Sequence, residues 1–238
     1  GDNDVSTEPY YSDDLVTLYH GDAMEVLAGL PSSSVALVVT DPPYVIGAVS
    51  AGNLASKSGG WADMMNSAHW FTAWYREVDR VLHSTGSMWT FANWRTLPVV
   101  MRAATDARMA ITSLMVWDKE WIGPGGPQGL RPSYEVCALM AQPGFALPDR
   151  GTPDIWRHKV GSYKPHGHPA EKPEPLVRRI IEACELPPDA VVVDPFAGSG
   201  TTLAAARALG FHAIGIEAET RWCEVIADRL AQTELFAS

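Results

Sequence analysis

Val191-Val192-Val193-Asp194-Pro195-Phe196-Ala197-Gly198-Ser199-Gly200-Thr201-Thr202 is the stretch on which the reading of the fold turns. Three β-branched residues in a row predict a short buried strand. A glycine-rich turn follows at once, and an apolar-periodic helix runs on through Ala206 and Leu209. Strand, glycine turn and helix make a nucleotide-site arrangement. Glycine lets the backbone approach a ligand, and the first N–H groups of the helix face it. The next strand, His212-Ala213-Ile214-Gly215-Ile216, ends at Glu217. That acid stands 23 residues after Asp194, near the spacing at which a carboxylate takes ribose hydroxyls.

A second strand of the same kind lies far upstream. Val35-Ala36-Leu37-Val38-Val39-Thr40 is apolar, β-branched and stopped by Asp41-Pro42-Pro43-Tyr44. A carboxylate at the end of a buried strand is poorly placed for stability. It is well placed for a ligand, because open α/β sheets bind ligands at the carboxyl ends of their strands. Pro42 holds Asp41 extended. Neither proline has an N–H, so the stretch offers acceptors, the Asp41 carboxylate and the Pro42 carbonyl, beside the flat ring of Tyr44. Two acceptors and a stacking ring suit an exocyclic amino group on a flat heterocycle. A plain strand followed by a rigid turn explains the same residues without a ligand.

The remaining pattern alternates strand and helix. Residues 15–20 predict a strand, and Met24, Leu27 and Leu30 a short amphipathic helix. Between them Asp22 serves equally as helix N-cap or ligand contact. Trp70, Phe71, Trp74, Val78, Val81 and Leu82 form one wide face of a helix over 67–82, a core face rather than a stacking platform. Strands at 87–91, 111–117 and 134–140 and helices at 97–106, 172–184 and 220–232 complete the set. The fold class that follows is α/β, a doubly wound, mostly parallel sheet with helices on both faces. Residues 1–14, acidic and aperiodic, read as a flexible tail, and 15–238 as a single domain. Within it, 45–66 and 141–170 read as long loops or small insertions.

Composition narrows the class. Of 238 residues, 46% are hydrophobic and 19% charged, as in a globular protein. No apolar run reaches the ~20 residues of a membrane span, and no signal peptide is visible. Cys137, Cys184 and Cys223 suggest neither a disulfide framework nor a zinc site, which points to a reducing cytoplasm. His166-Gly167-His168 lacks partners at ligand spacing, so no metal is expected. The net charge of −10 speaks mildly against nucleic acid. Residues 150–180, however, hold seven Lys/Arg against three acids, a basic strip on an acidic body. Such a strip suits a phosphate backbone, or a solvated loop.

The glycine turn lacks the Gly-Lys-Ser/Thr ending of a P-loop and the third glycine of a dinucleotide fingerprint. An acid at its start, Asp194, would repel phosphate but faces an ammonium well. S-adenosylmethionine fits, with its ribose at Glu217 and its amino-acid tail at the loop.

Both motifs together resemble the DNA amino-methyltransferases in their beta-type, circularly permuted order. That family carries an Asp/Ser/Asn-Pro-Pro-Tyr tetrad early and a Phe-x-Gly-x-Gly loop late, here Asp41–Tyr44 and Phe196–Gly200. Gly21-Asp22-Ala23, His168-Pro169-Ala170-Glu171-Lys172-Pro173 and the closing Ala227-Asp228-Arg229-Leu230 also look like family segments. The resemblance spans about 15–232 and implies a Rossmann-like methyltransferase that flips its target base. It implies Asp41, Pro42, Pro43 and Tyr44 as the catalytic group. For the cofactor it implies Asp22, His168, Lys172, Asp194, Phe196, Gly198, Ser199, Gly200, Thr201, Thr202 and Glu217, with Asp22 near the adenine and His168 and Lys172 near the methionine end. Arg157, Lys159 and Lys164 are the expected DNA contacts. The partner is double-stranded DNA, with a homodimer and a cognate restriction endonuclease as further possible partners in a bacterial or phage-infected cell. Asp at the first tetrad position leans towards adenine N6; cytosine N4 is the alternative. More distant alternatives are an RNA or protein-glutamine methyltransferase, a non-catalytic DNA-binding subunit of the same fold, and a dehydrogenase.

Overall fold

A computed structural model of the chain describes residues 8–43, 61–123, 127–159, 166–168 and 170–235, with backbone alone for 61–67 and 233–235. Tyr44, most of the 45–66 loop and Lys164 therefore lie outside the described residues.

The strands are β1 (Tyr11–Ser12), β2 (Val16–His20), β3 (Val35–Thr40), β4 (Leu82–Ala92), β5 (Ile111–Asp118), β6 (Tyr134–Ala141), β7 (Ile155–Arg157), β8 (Val191–Asp194) and β9 (His212–Glu217). The helices are α1 (Ala23–Gly29), α2 (Trp61–Val81), α3 (Leu97–Ala107), α4 (Glu174–Ala183), α5 (Thr201–Ala208) and α6 (Thr220–Leu235). All nine strands form one sheet in the order β1-β2-β9-β8-β3-β4-β6-β5-β7. Along it, β2, β9, β8, β3 and β4 are parallel neighbours, and β1 and β6 run against their neighbours.

Strand alternation sends side chains to two cores. Val192 joins Leu37 and Val39 on the face covered by α4, α5 and α6, where Val177, Ile181, Leu203 and Ile226 pack. Val193 joins Val35 and Val38 on the face covered by α1, α2 and α3, where Leu27, Phe71, Trp74, Val78 and Val100 pack. The sheet is therefore buried on both faces, which is why β3 and β8 read as continuous apolar runs rather than alternating ones. Val35, at the start of β3, packs in the same cluster as Val38 although three residues separate them.

The order contains a topological switch. From β3 the chain proceeds outward to β4, and from β8 it proceeds the other way to β9. A crevice opens beyond the carboxyl ends of two parallel neighbours where the winding reverses. Those ends carry Asp41 and Asp194.

Three expectations need correcting. Residues 10–14 are not loose: β1 pairs with β2, and Asp13 accepts hydrogen bonds from the Leu15 and Val16 amides and from Tyr11. The helix expected over 67–82 starts at Trp61, so residues 61–66 are helix and not loop, and Leu82 opens β4 instead of ending it. Residues 155–157, expected in an aperiodic stretch, form β7 parallel to β5. Among the described residues no helix is long and apolar enough to cross a membrane.

Candidate active site

At the switch lies a cavity of about 450 Å³. Asp41, Pro42 and Pro43 line it from β3, and Asp194, Phe196, Gly198, Ser199, Thr201 and Thr202 from β8 and α5. Glu217 closes it from β9, Asp22 from the start of α1, and His168 and Lys172 from the segment before α4. Gly200 stands just behind, as the N-cap of α5. Residues far apart in the sequence thus meet at one cavity.

The glycine turn is built for close approach. Gly198 has φ +55°, and a Cβ there would stand 3.3 Å from the His168 ring. Gly200 has φ +77°, and a Cβ would meet Ile226 at 3.0 Å. Both positions are in the left-handed region that glycine adopts without strain. The Gly198 amide donates to Glu217 Oε2 at 2.9 Å, and the Glu219 amide to Glu217 Oε1 at 2.8 Å. Arg229 straps the turn from behind, donating to the Ser199 carbonyl at 3.0 Å while pairing with Glu174 at 2.6 Å.

Asp194 is 4% exposed and accepts from the Phe196 amide at 3.1 Å. Burial raises its pKa to about 6, and the nearby Thr202 and Thr40 hydroxyls and that amide offset only part of the rise. The Asp41 charge adds to it. No basic side chain is paired with Asp194 among the described residues, so at neutral pH its carboxylate is a buried anion with only hydroxyl and amide groups to offset the charge.

Asp41 has a cation. Its Oδ2 accepts from the ammonium of Lys172, which is 131 residues away in sequence. Lys172 is buried, its ammonium 5.1 Å from the Phe91 ring centre. Burial works against the ammonium, yet Asp41 and Glu135 hold its pKa above the ordinary lysine value. Lys172 therefore faces the acceptor tetrad as well as the cavity, and it cannot serve in a solvated basic strip.

Asp22 does cap α1, accepting from the Met24 and Glu25 amides at 2.8 and 3.3 Å, all through Oδ1. The cap and the cavity contact coexist. His168 packs edge-on against Trp222 at 4.5 Å, and burial lowers its pKa. His166 Nδ1 lies 2.7 Å from Glu171 Oε1, and among the described residues no cluster suits a metal ion.

Two expectations move. Trp70, expected in the core, is 37% exposed and lines the cavity, its ring 5.8 Å from that of Phe196. The basic strip breaks up. Arg179 lies over the Trp156 ring at 4.2 Å, Arg178 pairs with Glu182, and Lys172 is buried. Arg157, the last residue of β7, and Lys159 just beyond it remain exposed, Arg157 loosely paired with Asp118 at 3.6 Å. Sequence reasoning misses Trp222, Glu171 and Glu135. Only Trp222, one turn into the helix after Glu217, carries a signal, an aromatic beside a predicted ligand acid.

A family model described as DNA methylase matches residues 35–228. The chain belongs to the N6/N4 DNA methylase family. Among proteins similar to this DNA methylase is the DNA adenine methyltransferase YhdJ of Escherichia coli K12, 28% identical over 254 residues, covering 92% of this chain and 84% of that protein. The solved structure of the PvuII DNA methyltransferase (cytosine-N4-specific) superposes with a TM-score of 0.77 at 19% identity, covering 94% of this methylase and 89% of that chain. The DNA modification methylase TTHA0409 of Thermus thermophilus, solved with S-adenosyl-L-methionine, reaches 0.70 at 25% identity, covering 90% and 94%.

Proposed function

We propose that this methylase transfers a methyl group from S-adenosylmethionine to the N6 amino group of an adenine flipped out of double-stranded DNA. The observation that carries the reading is the pairing of two carboxylates at the switch point. Asp41 sits on an acceptor-only turn, and Asp194 is a buried anion with no basic partner among the described residues.

The residues fit S-adenosylmethionine. A cavity of about 450 Å³ falls within the ordinary range for such ligands. Asp194 and the glycine turn suit a zwitterionic amino-acid tail. Each Glu217 oxygen accepts one backbone N–H and retains a lone pair for a ribose hydroxyl. Asp22, Phe196 and Trp70 suit the adenine. When bound, the cofactor supplies an electrophilic methyl on a sulfonium.

What the chain supplies is position and electrostatics. The lone pair of an adenine amino nitrogen is delocalised into the ring, so the nitrogen is a poor nucleophile. The Asp41 carboxylate and the Pro42 carbonyl accept its two N–H bonds. That arrangement favours a lone pair directed at the methyl and stabilises the positive charge that develops on nitrogen, which is discharged when the nitrogen gives up one of its two protons. Tyr44 is assigned the stacking face for the flipped base, and Arg157, Lys159 and Lys164 the phosphates.

Adenine is preferred because Asp stands first in the tetrad and because YhdJ, similar over most of its length, is a DNA adenine methyltransferase. The test is transfer of labelled methyl to unmethylated bacterial DNA, followed by nucleoside mass spectrometry. N6-methyladenine is the expected product. N4-methylcytosine would keep the chemistry and reverse the base. Absence of labelled DNA with the cofactor bound would refute the substrate.

A further inference from the structure

A line of alternating charges runs away from Asp41. Asp41 Oδ2 accepts from Lys172, and the same Lys172 ammonium stands 3.4 Å from Glu135 Oε2. Glu135 Oε1 in turn accepts from Lys119 at 2.5 Å. Glu135 is on β6 and Lys119 just past the end of β5, at the same edge of the sheet as Asp41. The side chains of Lys172, Asp41, Glu135 and Lys119 are 8%, 17%, 16% and 19% exposed, so solvent screens these pairs little. Burial opposes the Glu135 charge, yet Lys172 and Lys119 hold its pKa below the usual carboxylate value. Glu135 is not among the residues that line the cavity.

This line solves a problem that the mechanism creates. A carboxylate meant to stabilise positive charge on the target nitrogen is weakened by an ammonium bound to it. If Lys172 answered to Asp41 alone, its full charge would compete with the incoming amino group. A second carboxylate behind Lys172 divides that charge and fixes the ammonium in place, and Lys119 satisfies the remaining oxygen of that second carboxylate.

We propose that Glu135 is a positioning residue for methyl transfer: held by Lys119, it draws on the Lys172 ammonium from the side away from Asp41, and so fixes the Asp41 carboxylate while leaving it negative enough to receive the target amino group. The inference rests on the proposed transfer reaction but can be read separately from it. Glu135 touches neither substrate nor cofactor and acts through Lys172.

Glu135→Gln keeps the shape and removes the charge. Single-turnover transfer should fall on the order of 10–100-fold, the usual cost of misplacing a reacting group. Affinity for S-adenosylmethionine and for DNA should change by less than about threefold, because the change acts after binding. In a Lys172→Met background, Glu135→Gln should cost less than about twofold more, because its route to Asp41 is already gone. A wild-type rate in Glu135→Gln would overturn the proposal, as would an equal loss in both backgrounds. A third reading needs no DNA. The ε-carbon NMR titration of Lys172 should move to lower pH in folded Glu135→Gln, and an unmoved titration would overturn the proposal even if the wild-type protein methylated something other than DNA.

Discussion

Replacing Asp194 by Asn separates what the carboxylate does for binding from what it costs the fold. Burial raises its pKa from the ordinary 3.8 to about 6. For an acid whose pKa is raised on folding, the penalty is fully present above the folded value and fades as the pH falls from about 6 towards 3.8. The rise corresponds to about 3 kcal/mol at neutral pH, at ~1.4 kcal/mol per unit of pKa. About half of that should be recovered in the variant, since the Phe196 amide then donates to a neutral carboxamide and its hydrogen bond weakens. Unliganded Asp194→Asn should therefore melt ~3–6 °C above wild type at about pH 7.5, with the gap narrowing towards about pH 5. Saturating cofactor reverses the order. At about 100 times its Kd, S-adenosylmethionine should stabilise wild type by ~2.7 kcal/mol and the variant far less. Cofactor affinity of wild type should also weaken as the pH falls through about 6, where Asp194 takes up a proton. Calorimetric melting at three pH values, with and without cofactor, reads all of this. An Asp194→Asn protein that melts below wild type at about pH 7.5 and still gains the full cofactor shift would refute the reasoning.

Two further outcomes follow from geometry. Gly198→Val places a β-branched residue at φ +55° with its Cβ 3.3 Å from His168, so it should cost ~1–3 kcal/mol of stability and weaken cofactor binding at least tenfold by calorimetric titration. Replacing Arg157 and Lys159 together by Ala should weaken DNA binding uniformly across sequences and reduce the slope of log affinity against log salt by about two, read by fluorescence anisotropy.

How much of this is legible in the sequence depends on how far each feature is local. β3 and β8 are visible because a parallel strand buried on both faces must be almost continuously apolar, and each runs into a residue that breaks the pattern, Asp41 or Asp194. The glycine turn is visible because φ values of +55° and +77° favour glycine itself. β7 is not, because three residues give no period; it holds by pairing with β5 and by burying Trp156 beneath Arg179. The order in residues 10–14 is hidden for the same reason, since two residues of β1 owe their place to β2 and to Asp13. Lys172 falls in the basic strip by charge and at the cofactor by resemblance; its pairing with Asp41 and Glu135 is hidden, because sequence shows charge and not partners and these come from the end of β3 and from β6. Trp70 is one aromatic among several on α2, and only the closure of the cavity distinguishes it from Phe71 and Trp74.

The central claim is that Asp41 acts on the target base while the Asp194 turn acts on the cofactor, within one cavity. Asp41→Ala tests it most directly, with S-adenosylmethionine affinity by calorimetry and methyl transfer to unmethylated DNA measured on the same preparation. The account predicts a Kd within about threefold of wild type and a transfer rate lower by at least about a thousandfold, the order expected when a transition-state acceptor is removed. Transfer at the wild-type rate, or loss of cofactor binding in step with loss of transfer, would contradict it.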